Sequence, residues 1–174
     1  MKPKQKIDLL ISLLLILLGS ILLVLPIFEV KDIKTILIIV FSVYTILNLV
    51  QFILTKESKD IEGLLSSLAS LITLIASVLV KVSSPRSLAM IIMTWVILMS
   101  LAKLKKTDYY HDRRDRMWKI RVLNLTLFIL IGILTSINLA YSSDIQIMVL
   151  GFFLFTHGVL ELFDPITKYL IAHS

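Results

Sequence analysis

Hydrophobic residues occur in six long blocks that are separated by short polar segments. Four blocks, residues 9–28, 35–55, 63–80 and 122–143, carry no charge and approach the ~20 residues that a helix needs to span a bilayer. Two shorter blocks, residues 87–102 and 145–160, reach that length if the long side chains flanking them extend towards a membrane interface. The pattern therefore predicts an all-α polytopic membrane protein with six transmembrane helices.

Composition agrees with a membrane protein. The chain is 57% hydrophobic and 17% charged, with a mean hydropathy of +0.94, whereas soluble domains are about 45–50% apolar and about 25% charged. No cysteine is present, which excludes disulfides, thiolate metal sites and cysteine nucleophiles. We expect a single transmembrane domain over residues 1–174.

The first block resembles a signal peptide only in its preceding lysines. It is longer than the ~7–15 apolar residues of such a signal, and it ends in Leu25-Pro26-Ile27-Phe28 rather than in small residues. We therefore expect it to remain as a membrane anchor.

Lysine and arginine positions predict the orientation, because these residues accumulate in cytoplasmic segments. With the N-terminus inside, 14 lie in inner segments: Lys2, Lys4, Lys6, Lys56, Lys59, Lys103, Lys105, Lys106, Arg113, Arg114, Arg116, Lys119, Arg121 and Lys168. Four lie outside: Lys31, Lys34, Lys81 and Arg86. The asymmetry predicts a multi-pass protein of the cell membrane with both termini in the cytoplasm.

An internal repeat matches this topology. LLGSILLVLP (17–26), LIASVLVKVS (74–83) and LIGILTSINL (130–139) align Gly19, Ala76 and Gly132. The segment from Ile33 aligns with that from Gln146 in the same way. Three parallel helical hairpins, approximately residues 7–55, 62–106 and 120–168, are expected to be related by rotation about the membrane normal.

This layout resembles the HdeD-like family of small bacterial inner-membrane proteins, which is named for an acid-resistance protein. Leu18-Gly19 with Pro26, and Ile131-Gly132, match the family's first-helix pattern, and GFFLFTHGVLEL (151–162) matches its glycine-containing second helix. Ala76 and Leu139 depart from the glycine and the proline of that pattern. The resemblance implies a stress-related or acid-related role without established catalytic residues.

His157 and Glu161 are an ionisable pair in the last predicted helix. Four residues apart, they share a helix face with Asp164 one turn further, and such a pair could bind a proton or a metal ion. Alternatively, Glu161 lies at the headgroup level and His157 makes one interhelical hydrogen bond, since the helix is expected to end or bend at Asp164-Pro165. No third metal ligand accompanies the pair, so we expect no metal site.

Asn48 aligns with Glu161 through the repeat, and both are therefore candidates for a shared polar layer. The hydroxyl-rich face of the third helix, between Gly63 and Ser77, is typical of close helix packing.

The basic segment between the fourth and fifth helices has two interpretations. It can simply determine topology, or it can recruit anionic lipid headgroups. The headgroup candidates are Lys103, Lys105, Lys106, Arg113, Arg114 and Arg116. Nucleic-acid binding is not expected, because no aromatic and basic module accompanies the charge.

No catalytic motif occurs, and the chain is predicted to be non-enzymatic and to need no cofactor. The leading hypothesis is an HdeD-like membrane protein acting in stress or acid tolerance, with protein partners and homo-oligomers left open. The alternative is a small-molecule carrier or the substrate-binding membrane subunit of a transporter. A carrier needs a polar-lined cavity, whereas a structural bundle packs solid.

Overall fold

The computed structural model describes residues 3–29, 32–55, 61–80, 84–112, 117–138 and 143–171. Every element in these residues is helical: α1 (Pro3–Val24), α2 (Ile33–Thr55), α3 (Glu62–Leu79), α4 (Pro85–Asp112), α5 (Met117–Asn138) and α6 (Ser143–Ile171), with a 3₁₀ turn (Leu25–Phe28) extending α1. All six α-helices are long and apolar enough to span a membrane. The predicted fold class, an all-α protein with six membrane-spanning helices, is confirmed.

Local chemistry defines the boundary between α1 and α2. Glu29 adopts a left-handed conformation (φ 57°) and donates its N–H to the carbonyl of Pro26 at 3.1 Å, which ends the 3₁₀ turn. Asp32 precedes α2 and accepts hydrogen bonds from the backbone N–H (3.2 Å) and hydroxyl (2.6 Å) of Thr35. These hydrogen bonds from Thr35 lower the pKa of the Asp32 carboxyl, which lies outside the spanning segments.

Two helices extend further than the sequence indicated. The fourth continues through Asp112, so much of the basic segment is helical rather than a loop. The sixth passes through Pro165 and continues to Ile171, although proline removes one backbone hydrogen bond of the helix. Asp164, which is paired with Arg121 and Lys106, holds this turn against the neighbouring helices.

The helices form a ring in chain order, which closes where α1 packs against α6. The most extensive interfaces join α1 to α6, α2 to α3, and α4 to α5. Each of them joins the second helix of one predicted hairpin to the first helix of another. The rotational relation between hairpins stays a prediction.

A glycine allows close approach at each of these three interfaces. A Cβ on Gly19 would lie 2.7 Å from the carbonyl oxygen of Gly151, and a Cβ on Gly63 would lie 2.8 Å from that of Asn48. At Gly132 the obstacle is the side chain of Val96, 2.6 Å away. Backbones therefore meet almost directly at the first two interfaces.

Aromatic rings fill the centre of the bundle around Trp95, which is 1% exposed. Its ring centroid lies 5.5–6.0 Å from those of Phe41, Tyr44, Phe128, Phe153 and His157, edge to face in every case. The Trp95 indole donates to the hydroxyl of Ser70 at 3.2 Å. Ser70 belongs to the buried hydroxyl face of α3, which is packed inside the bundle as the sequence predicted.

Candidate functional site

Polar residues from all six helices converge at one end of the bundle, where α1 begins and α6 ends. We call it the termini end. The charged and amide side chains there, in helix order, are Asp8, Asn48, Gln51, Glu62, Lys103, Lys106, Arg121, Asn124, Glu161 and Asp164. Odd-numbered helices contribute from their first turns and even-numbered helices from later turns, as an up-and-down ring requires.

Six of these residues form a buried ion network, here defined as Glu62, Lys103, Lys106, Arg121, Glu161 and Asp164. Lys103 pairs with Glu161, and Lys106 pairs with Glu62. Lys106 Nζ also lies 3.4 Å from Asp164 Oδ2, and Arg121 Nη2 lies 2.7 Å from the same oxygen. The six side chains are only 4–19% exposed. The network thus links α3, α4, α5 and α6 within the interior.

Helical spacing explains how so few residues build this network. Lys103 and Lys106 are three residues apart on α4, as are Glu161 and Asp164 on α6, so each pair occupies one face. Three carboxylates stand against three cations. Burying unpaired charge costs several kcal/mol per ion even after relaxation, so balance is a physical requirement at this site.

His157 lies beside the network rather than in it. Its Nε2 is 3.3 Å from the Tyr44 hydroxyl, whereas its Nδ1 is 4.0 Å from Glu161 Oε1, too far for a hydrogen bond. Nδ1 is buried and has no hydrogen-bond partner among the described residues. The partner of Glu161 is Lys103. His157 and Glu161 are therefore neighbours without a hydrogen bond between them, because Lys103 lies closer to the carboxylate of Glu161.

Asn48 and Glu161 line the same cleft, so the structure brings these two residues of the predicted polar layer together. The Asn48 amide nitrogen donates to the Tyr44 carbonyl at 2.8 Å within α2. One turn further, Gln51 donates to the Asp8 carboxylate and links α2 to α1. On α5, Asn124 donates to the Leu160 carbonyl of α6 at 2.8 Å.

The headgroup candidates divide into three groups. Lys103 and Lys106 differ from the prediction, since both point into the bundle and are neutralised by carboxylates. Lys105 between them is exposed, and the headgroup hypothesis can rest on it. Arg113, Arg114 and Arg116 lie outside the described residues. Helix periodicity separates Lys105 from its neighbours, because adjacent positions are 100° apart.

Two small clefts flank the network. One is lined by residues of α1, α2, α3, α4 and α6, the other by residues of α3, α4, α5 and α6, and each encloses about 20 Å³, room for about one water molecule. A larger groove of about 120 Å³ between α1 and α2 is lined by leucine, isoleucine, valine and Tyr44, and suits lipid chains. In the described chain, no group of three or more histidine or acidic residues could hold a metal ion.

Sequence reasoning missed Asp8, Glu62 and Arg121 as site residues. Each lies immediately before a predicted span, and only Arg121 was considered at all, as one of the basic residues that predict the orientation. Their position on the same helix face as the buried residues of that helix was the available signal.

Comparisons with protein-family models, curated proteins and solved structures find no match to this chain.

Proposed function

We propose that this chain is a non-enzymatic bacterial inner-membrane protein whose ion network responds to acidification, in keeping with the resemblance to acid-resistance membrane proteins. The observation that carries the proposal is the charge balance of the network: three buried carboxylates against three buried cations, joining four helices. With both termini in the cytoplasm, the network faces the cytoplasmic side.

Protonation changes this balance in one direction. When Glu62, Glu161 or Asp164 takes up a proton, the cation beside it loses its partner while remaining buried. An uncompensated buried charge is strongly unfavourable, so the helices separate or water enters. Falling cytoplasmic pH therefore loosens the termini end, and the altered surface is what a partner would recognise.

The alternative function, a small-molecule carrier, has less support. Within the described residues, the polar clefts hold about 20 Å³ each, far below the ~300 Å³ of a typical ligand pocket. A carrier would need a second conformation in which the network opens around a solute. In this conformation the two polar clefts have room only for water or a small ion.

Trp95 provides a direct measurement of the acid response. The chain has two tryptophans, and a Trp118→Phe background leaves only Trp95, whose ring packs against His157. We expect a reversible red shift of Trp95 emission on acidification. The variant Lys103→Met/Glu161→Gln/Arg121→Gln/Asp164→Asn keeps only the Lys106–Glu62 pair of the network and should lose most of this pH dependence. An identical acid transition in that variant would refute the proposal.

An acid-survival assay tests the role in cells. Wild type is compared with Glu161→Gln and His157→Phe at matched expression, and Lys105→Gln is the control, because it removes an exposed charge of α4 that lies two residues from Lys103. We expect Glu161→Gln to alter survival, because it leaves Lys103 without its partner. If deletion of the gene lowers survival but Glu161→Gln and His157→Phe both behave as wild type, the network is ordinary packing.

A further inference from the structure

We propose that the clefts beside the ion network form a binding site for a small monovalent anion such as chloride, which enters when the carboxylates are protonated. This inference rests on the proposed acid response and names the ligand that accompanies it. Lys103, Lys106 and Arg121 converge from two adjacent helices onto a common set of carboxylates. At neutral pH, these carboxylates already supply the negative charge.

The small volume of the clefts limits which anions can take over the negative charge of the protonated carboxylates. Each cleft encloses about 20 Å³, and chloride is only slightly larger than water. Of the two clefts, the one that is lined by residues of α3, α4, α5 and α6 contacts all three cations, Lys103, Lys106 and Arg121. Larger anions such as gluconate do not fit without opening the bundle. A small anion beside the cations restores the charge balance that protonation removes, and buried cations strongly favour such a partner.

Every helix packed around the clefts contributes charged or titratable groups that set the sign of the effect. They are Asp8 on α1, Tyr44 on α2, Glu62 on α3, Lys103 and Lys106 on α4, Arg121 on α5, and His157, Glu161 and Asp164 on α6. Asp8 hydrogen-bonds Gln51 at the edge of the cleft. Protonation of any of the carboxylates, or of His157, makes the site more positive. Acidification therefore favours anion binding whichever of these groups takes up the proton.

Coupling between proton uptake and chloride binding makes the apparent Kd for chloride depend on pH. If one proton is taken up for each anion bound, the apparent Kd for chloride falls about tenfold per pH unit across the titration range. Because a ligand that binds only the folded state raises its stability, the thermal unfolding midpoint of the purified full-length protein reports binding. Sodium chloride is compared with sodium gluconate at equal ionic strength, at neutral pH and at about pH 5.

We expect chloride to raise the unfolding midpoint relative to gluconate at acidic pH and not at neutral pH. Asp164→Asn imitates the protonated carboxyl and should show the chloride effect at neutral pH, and Glu161→Gln serves as a second such variant with a more exposed side chain. Arg121→Gln/Asp164→Asn removes one cation with its partner and should weaken chloride binding at least about tenfold, the ratio that corresponds to 1.4 kcal/mol. Lys105→Gln, which changes an exposed residue of α4 between Lys103 and Lys106, should match wild type.

The two proposals fail in different ways. An acid transition of Trp95 without any difference between chloride and gluconate refutes the anion site and leaves the acid response standing. Chloride stabilisation of Asp164→Asn at neutral pH, in a protein that shows no acid transition, supports the anion site and refutes the acid response. Folded Asp164→Asn and Glu161→Gln that both ignore chloride at every pH overturn the anion site.

Discussion

The hydroxyl of Tyr44 and Nε2 of His157 lie 3.3 Å apart, 113 residues from each other in the chain. This hydrogen bond joins α2 to α6, two helices that are not neighbours in the ring and touch only slightly. Both side chains are almost completely buried. The bond lies between the aromatic centre around Trp95 and the ion network at the termini end.

Tyr44→Phe should destabilise the folded protein modestly. The substitution keeps the ring contacts with Trp95 and leaves His157 Nε2 without its partner. Interhelical hydrogen bonds in membranes average ~0.6 kcal/mol, up to ~1.7, so a loss of about that size is expected. Unfolding measured in bicelles tests this, with Phe41→Leu as a control for ring packing alone. No change in Tyr44→Phe would mean that the hydrogen bond does not stabilise the fold.

Glu161→Gln should be far more costly than the paired change Lys103→Met/Glu161→Gln. The single substitution leaves the Lys103 ammonium buried and uncompensated, a loss of about 3–5 kcal/mol for a buried pair. The double substitution removes both charges and should recover much of that loss. A double-mutant cycle with Lys103→Met measures the coupling. Additive effects would show that the two side chains do not interact.

Gly19→Ala should disturb packing more than Gly132→Ala. The added methyl at Gly19 would meet backbone atoms of α6, including the Gly151 carbonyl, which cannot rotate away. At Gly132 it would meet the methyl groups of Val96, which can shift. Overpacking costs about 1–3 kcal/mol, and Gly19→Ala is expected at the upper end or beyond. The reverse order in thermal unfolding would contradict the proposed approach of α1 and α6.

Both termini are expected in the cytoplasm, because lysine and arginine concentrate in the corresponding segments. Alkaline phosphatase fused after Ser174 should be inactive, whereas the enzyme inserted within residues 31–34 should be active. Expression of both fusions is matched by immunoblot. Activity after Ser174 together with silence at the first loop would overturn the orientation.

The three hairpins are expected to superpose by successive rotations about one axis near the membrane normal. The measurement is a superposition of residues 7–55, 62–106 and 120–168 in an experimental structure. Gly19, Ala76 and Gly132 should occupy corresponding positions. Inverted relations between units, or no common position for these three residues, would contradict the repeat.

The sequence by itself determined the number and type of the helices. Crossing hydrocarbon demands uninterrupted apolar stretches of a fixed length with all backbone groups bonded internally, and such stretches are visible in one dimension. It also indicated that His157 and Glu161 belong to a polar region, since ionisable groups in a span are costly and therefore conspicuous, and it added Asn48 through its alignment with Glu161 in the repeat.

Only the tertiary structure decided which charges meet. Lys103 and Lys105 are two residues apart and look equivalent in the sequence, yet one pairs with Glu161 inside the bundle and the other is exposed. Glu62 and Arg121 stand immediately before predicted spans in the sequence, and only the ring of helices brings them to Lys106 and Asp164. Ion pairing depends on how each helix is rotated about its axis and on which helices become neighbours, and packing of the whole ring, including the close contact of Gly19 with α6, sets both.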